Sequence, residues 1–244
     1  MPPAAAPAKP SSVNPSPVAA PVAPDDSFRP ALAFSALTPW FDVVARVAVR
    51  DAALKDQLAD LLPLQAGQVV LDVGCGTGTL LLRLHARQPQ ARLYGVDADP
   101  TVLTIAKRKA AAAAANLALT VASATRLPFA ADAFDAVTTS LMLHHLTTPQ
   151  KRQALAEIRR VLRPGGVLLA ADYDAPRTWL EALAFLPIRF FDGFDATEAN
   201  VQGQLPALMH AAGLKAVTVC AELPTAFGYI TVWRAQSPAA VTSL

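Results

Sequence analysis

The sequence predicts an α/β protein built on an open, doubly wound sheet of seven strands, mostly parallel, with an antiparallel last strand. Three observations predict it. Val69 to Val73 is a short apolar, β-branched run that reads as a buried parallel strand, and Gly74, Gly76 and Gly78 follow it at once, leading into the apolar helical run Leu80, Leu81, Leu82 and Leu84. Strand-like and helix-like runs then alternate from residue 92 to residue 172. Two strand-like runs, 214–221 and 228–234, close the chain with no helix between them, as an antiparallel pair does.

Composition sets the bounds. A chain of 244 residues with 53% hydrophobic and 16% charged residues suits one domain with a tail. The net charge of +2 gives no electrostatic case for a nucleic-acid or membrane partner. Cys75 and Cys220 have neither metal nor redox spacing. No apolar run approaches the roughly 18 residues that cross a bilayer. The N-terminus shows no basic-then-apolar leader pattern, so the expectation is a cytoplasmic protein with no integral membrane association.

Residues 1–26 are mostly Pro, Ala, Ser and Val, and are expected to be a disordered tail, because recurrent proline forbids helix and sheet. The domain is expected to occupy 27–244. From Trp40 to Leu62, Phe41, Val44, Val47, Leu54, Leu58 and Leu61 recur at helical intervals, as one helix or two broken near Asp51. The helix after the glycines runs to Arg87, and Arg92 to Val96 is the second strand. Asp97, about 20 residues past the glycines, stands where a carboxylate accepts hydrogen bonds from ribose hydroxyls. Asp99, followed by Pro100, caps the next helix, which is expected to reach Ala115. Lys107, Arg108 and Lys109 read as a solvated helix face.

The third strand is Leu117 to Ala122, and the fourth lies around Phe134, Ala136 and Val137. A helix from Pro149 to Leu162 stops at a tight turn through Arg163-Pro164-Gly165-Gly166, and the fifth strand, Val167 to Asp172, leads to Tyr173. Residues 175–199 break the rhythm: Trp179, Leu183, Phe185, Leu186, Ile188, Phe190, Phe191 and Phe194 crowd together. This apolar insertion suits a cover over a hydrophobic small molecule, a local hydrophobic cluster or a dimer contact. Asp195 with Glu198 reads as a capping pair for a helix ending near Ala212, where Gly213 stops it.

The glycine spacing is G-x-G-x-G, with Thr79 where a dinucleotide fingerprint has its third glycine, and Asp72 stands just upstream. Asp-Val-Gly-Cys-Gly-Thr-Gly resembles motif I of class I S-adenosylmethionine-dependent methyltransferases, which have a Rossmann-like sheet. Asp97-Ala98-Asp99 resembles their motif II, Leu141-Met142-Leu143-His144-His145 their post-strand-four signature, and Arg159 to Gly166 their motif III. The likeness covers residues 35–235, and it is similar to the ubiquinone/menaquinone-biosynthesis type in particular. It implies S-adenosylmethionine as cofactor, held by Asp72, Gly74, Cys75, Gly76, Gly78, Asp97, Ala98, Ser123, Ala124 and Ser140. Ser123 departs from the family's pattern, which has an acid near the adenine at that place. A serine hydroxyl accepts a hydrogen bond but brings no charge. No metal site is expected.

The resemblance implies methyl transfer to a small, largely apolar acceptor. The nucleobase-type motif Asp/Asn-Pro-Pro-Tyr is missing, since Ser140-Leu141-Met142-Leu143 occupies its place. His144, His145 and Tyr173 are the candidates for a base, needed only if the attacking atom must lose a proton. Two other readings stand beside this one: a non-catalytic partner protein with the same fold, and a nicotinamide-dependent oxidoreductase, which the glycine spacing disfavours.

Overall fold

The computed structural model describes residues 51–239. The expected tail of 1–26 and the first part of the Trp40–Leu62 helix lie outside the described residues. The described part of that helix is α1, Asp51–Leu61. There follow β1 (Val69–Val73), α2 (Thr79–Arg87), β2 (Arg92–Asp97), α3 (Pro100–Ala112), β3 (Leu117–Val121) and β4 (Phe134–Ser140). A short 3-10 turn, Leu143–His145, leads to α4 (Thr148–Val161), β5 (Leu162–Tyr173), α5 (Trp179–Asp192), α6 (Phe194–Val201), α7 (Leu205–Ala211), β6 (Lys215–Thr225) and β7 (Gly228–Gln236).

Among the described residues, the strands form one seven-stranded sheet in the order β3-β2-β1-β4-β5-β7-β6. β1 pairs in parallel with β2 on one side and β4 on the other. β7 runs antiparallel to both β5 and β6, as expected of the last strand. The strand order reverses at β1 and β4, so their carboxyl ends flank the switch point where open α/β sheets bind ligands.

β1 is buried on both faces, as a central parallel strand should be. Val69, Leu71 and Val73 join Phe134, Leu155, Ile158 and Trp233 in one core. Val70 joins Leu54, Leu58, Leu80, Leu84 and Ile188 in the other. The pleat therefore sends Asp72 to the same side as Val70, the side that α1 and α2 cover. Asp99 caps α3, accepting from the Thr101 amide at 2.7 Å with Pro100 at the first helical position. Thr147 and Gln150 form a capping box at the start of α4.

Four expectations need correction. α3 ends at Ala112, three residues early, because Ala114 turns left-handed (φ 50°) to send the chain into β3. The turn expected at 163–166 is a bulge inside β5: the register with β4 jumps from Phe134↔Leu162 to Ala136↔Val167, with Gly165 at φ 77°. The helix expected from Asp195 to Ala212 is two helices, broken where Gly203 turns at φ 63°. Asp195 and Glu198 are not a capping pair, since Gly193 precedes the helix and Glu198 pairs with Arg189. The insertion at 175–199 is largely α5, with Phe185 and Ile188 buried while Trp179 and Phe190 stay exposed.

Candidate functional site

The glycine loop hangs from the end of β2. The amides of Gly74 and Cys75 both donate to the Val96 carbonyl, at 2.9 and 3.0 Å, and the Gly76 amide donates to Asp97 Oδ2 at 2.8 Å. Gly74, Gly76 and Gly78 take φ of 72°, 51° and 71°, a region that disfavours any side chain. A Cβ at Gly74 would lie 2.4 Å from Met142 Cγ, so the loop touches the turn after β4. Among the described residues, a Cβ at Gly76 would meet nothing within 4 Å, so there the loop presents bare backbone to an open face.

Asp97 Oδ1 accepts from the Asp99 amide at 3.0 Å across half-buried Ala98. With one amide on each oxygen, the carboxylate keeps lone pairs for hydroxyl donors. Cys75 points the other way: its Sγ would lie 2.8 Å from a Cβ at Gly95, inside the sheet. Burial first, and then the Asp72 and Asp97 carboxylates, push its thiol well up, so Cys75 can serve a ligand only through its main chain.

Asp72 is 1% exposed. Thr138 Oγ1 donates to its Oδ1 at 2.8 Å across the β1–β4 pair. Burial pushes its carboxyl up to about 6, against the opposing pull of Lys55 and Thr138. The ammonium of Lys55 reaches in from α1 and donates to the buried hydroxyl of Ser140 at the end of β4. An acid and a base thus stand together at the mouth of β1 and β4. On the far side of the loop, Lys109 donates to Thr77 Oγ1 at 3.1 Å and to Thr79 Oγ1 at 2.8 Å, so it is not a solvated residue of the helix face. The Ser123 hydroxyl lies 2.8 Å from Thr125 Oγ1 and accepts from the Thr125 amide at 3.2 Å, folding the turn that carries half-buried Ala124.

The turn after β4 begins at Leu141, a non-glycine residue at φ 54°, whose amide donates to Ala171 of β5 at 2.8 Å. That turn places His144 over the end of β5. Its Nδ1 lies 2.7 Å from Asp172 Oδ1, and its amide donates to Oδ2 at 3.3 Å. Asp172 is fully buried and also accepts from the Tyr173 amide at 2.8 Å and from Asn200 Nδ2 at 3.3 Å. Burial alone would raise Asp172, but His144, Lys151 and the amide hold it below the ordinary carboxylate range. Burial alone would lower His144, but Asp172 and Asp192 together hold it above its usual value. Asp192, at the end of α5, lies 3.6 Å from His144 Nε2 and 3.1 Å from His145 Nδ1.

Tyr173 packs its ring 5.1 Å from His144 and 5.0 Å from Phe185 of α5. Its phenol is pushed well up by burial and by Asp172 and Asp192, which makes it a poor proton acceptor at neutral pH. Lys151, fully buried in α4, donates to the carbonyls of Leu146 and Ala196 and so ties the turn to α6. Burial pulls its ammonium down to about 8. A separate cavity of about 390 Å³, lined by His85, Arg92, Tyr94 and Asn116, lies at the opposite, amino ends of β2 and β3.

The structure therefore gathers Asp72, Gly74, Gly76, Gly78, Asp97 and Ser140 at one end of the sheet, with His144, His145 and Tyr173 beside them. Sequence reasoning missed Lys55, Lys109, Asp192 and Asn200. Lys55 carried one faint signal, a lone cation between the core positions Leu54 and Leu58 of an amphipathic run.

Comparison with known proteins adds the family. The methyltransferase domain family matches residues 70–166, from β1 through the bulge of β5. The chain is 32% identical over 187 residues to an uncharacterized methyltransferase of Synechocystis, covering 73% of this chain and 84% of that protein. It is 37% identical over 145 residues to a demethylmenaquinone methyltransferase of Thermus thermophilus, covering 59% of this chain and 65% of that protein. The match thus spans a little under two thirds of the Thermus relative. In fold, the YcgJ protein of Bacillus subtilis superposes with a TM-score of 0.64 at 18% identity, over 78% of this chain and 100% of that one. Glycine loop, strand order and sequence likeness agree: the chain belongs to the class I S-adenosylmethionine-dependent methyltransferases and is similar to their ubiquinone/menaquinone-biosynthesis members.

Proposed function

We propose that this chain transfers a methyl group from S-adenosylmethionine to a small, largely apolar acceptor, a quinone precursor or a similar hydrophobic metabolite. One observation carries the reading. The glycine loop and the turn after β4 share a wall at Gly74 and Met142, and Asp192 joins the apolar helix α5 to that same turn through His145. A cofactor on the loop and an acceptor under α5 would be neighbours, and an in-line displacement asks chiefly for that alignment. The name of the Thermus relative, a demethylmenaquinone methyltransferase, supports an acceptor of this class.

The residues present fit the cofactor. Bare backbone at Gly76 leaves room for close approach. Asp97 keeps lone pairs for two ribose hydroxyls while still holding the loop. The amino-acid end of the cofactor is a zwitterion, and Asp72 with Lys55 offers one charge of each sign to it. Ser123 and Ala124 would border the adenine. When bound, the cofactor supplies a methyl group activated by the positive charge of its sulfur. The chain's own residues bind, orient and exclude water, the last through Tyr173, Phe185 and the buried face of α5.

Tyr173 is not suited to accept a proton, and the His144 ring stands between two carboxylates, Asp172 at Nδ1 and Asp192 at Nε2, which favour its protonated form. The reading therefore takes neither of these two as a base and takes the acceptor as reacting in its deprotonated or enolic form. Calorimetry of the full chain with S-adenosylmethionine tests the cofactor site. Asp97→Ala should weaken binding by about 1–3 kcal/mol, roughly 5- to 150-fold. Unchanged affinity in that variant would remove Asp97 from the site.

A further inference from the structure

We propose that His144 Nε2, His145 Nδ1 and a carboxylate oxygen of Asp192 form a binding site for one divalent first-row metal ion, zinc being the type case. The three ligand atoms lie within 4.8 Å of one another. His144 Nε2 lies 3.6 Å from Oδ2 of Asp192 and His145 Nδ1 lies 3.1 Å from its Oδ1, so both nitrogens face the one carboxylate at close to the spacing of about 3.3–3.6 Å that bonds of 2.0–2.2 Å give around a tetrahedral ion. His145 is exposed, so its ring can turn the remaining distance and an ion can enter from solvent.

The surroundings of His144 are those of a metal ligand. Asp172 accepts from the backbone amides of His144 and Tyr173 and from Asn200, and so cannot readily turn away. With Nδ1–H donated to Asp172, the ring tautomer is set and the Nε2 lone pair is aimed at Asp192. Carboxylate–histidine pairs orient metal-bound imidazoles in this way. A lone pair and a carboxylate oxygen that face each other need a cation between them. Two nitrogens and one oxygen suit zinc or a similar ion, whereas calcium and magnesium want oxygen ligands alone.

The ion would fasten the end of α5 to the turn after β4. Its open positions would suit an anionic oxygen, which agrees with an acceptor that reacts without a protein base. The binding itself does not depend on methyl transfer. A proton on Nε2 is the competing occupant.

The test uses the untagged chain carrying Cys220→Ser, since Cys220 is an exposed thiol that would itself bind soft metals. After treatment with a chelator, it is titrated with Co²⁺ and then with Zn²⁺, and metal content is measured after dialysis. One equivalent should bind, with visible cobalt bands that zinc abolishes. His145→Ala and Asp192→Asn should each weaken binding at least 100-fold, and Asp172→Asn 10- to 100-fold. Should the buried variants fail to fold, His145→Ala decides alone, because its side chain is half exposed. No binding, or binding that His145→Ala leaves unchanged, overturns the metal site and leaves the proton as occupant.

Discussion

Lys55, on helix α1, donates from its ammonium to the hydroxyl of Ser140 at the end of β4, 85 residues away in the chain. Its side chain is only 13% exposed. A lysine held at the mouth of the sheet, beside the buried Asp72, is placed to meet a carboxylate. S-adenosylhomocysteine and methylthioadenosine share a nucleoside and a thioether, but only the first has an amino-acid end. Lys55→Met should weaken S-adenosylhomocysteine about 10-fold or more, the worth of a charged hydrogen bond. Methylthioadenosine should bind the variant as it binds the wild type. Equal losses for both ligands would show that Lys55 supports the fold rather than the carboxylate, and binding of neither to the wild type would sink the cofactor site itself.

Asp72 should make the protein less stable as pH rises through the mildly acidic range. Its folded carboxyl titrates at about 6, above the unfolded value. The folded chain therefore holds that proton more tightly, and the resulting stability is fully present below about pH 4 and lost as pH passes about 6. A shift of about two units corresponds to about 3 kcal/mol. Urea unfolding of wild type and Asp72→Asn between about pH 4 and 7 checks this. The wild type should lose up to about 3 kcal/mol relative to the variant, and a gap that stays constant with pH would contradict the assignment.

Two glycines of one loop should respond differently to alanine. At Gly74 the new Cβ would lie 2.4 Å from Met142 Cγ and 2.8 Å from its Cβ, so a rotamer change alone cannot clear it. Gly74→Ala should cost about 1–3 kcal/mol in overpacking, besides the strain of its φ of 72°. Gly76→Ala meets no neighbour among the described residues and should cost about 1–2 kcal/mol of backbone strain. Yet it fills the face on which the cofactor would lie, so it should lose more binding than Gly74→Ala does per unit of lost stability. Thermal melting with and without S-adenosylmethionine separates the two; the same ratio for both would argue that the Gly76 face is not a binding surface.

The elements set by local pattern were legible in the sequence. β1 shows its double burial as an unbroken apolar run, and α3 announces itself through Asp99 and Pro100. Asp72 and Asp97 were legible because each sits next to the glycines or at a fixed distance from them. The bulge at 163–166 was not, since nothing local tells a helix-ending turn from a bulge that β4 holds in register. α5 was crowded with apolar residues, and only its packing decides that Phe185 and Ile188 turn inward while Trp179 and Phe190 do not. His144 pairs with Asp172 and Asp192, 28 and more residues away, and such pairings leave no periodicity to read.

Transfer of labelled methyl groups tests the central claim most directly. The full chain is incubated with methyl-labelled S-adenosylmethionine and an organic-solvent extract of small molecules, and the label is followed into the organic phase. Time-dependent label in an apolar product, absent with Asp97→Ala, is the expected result. Cofactor binding that is retained while no extract, quinol or other hydrophobic acceptor ever takes up label would contradict it, and would leave a methyltransferase fold that binds without transferring.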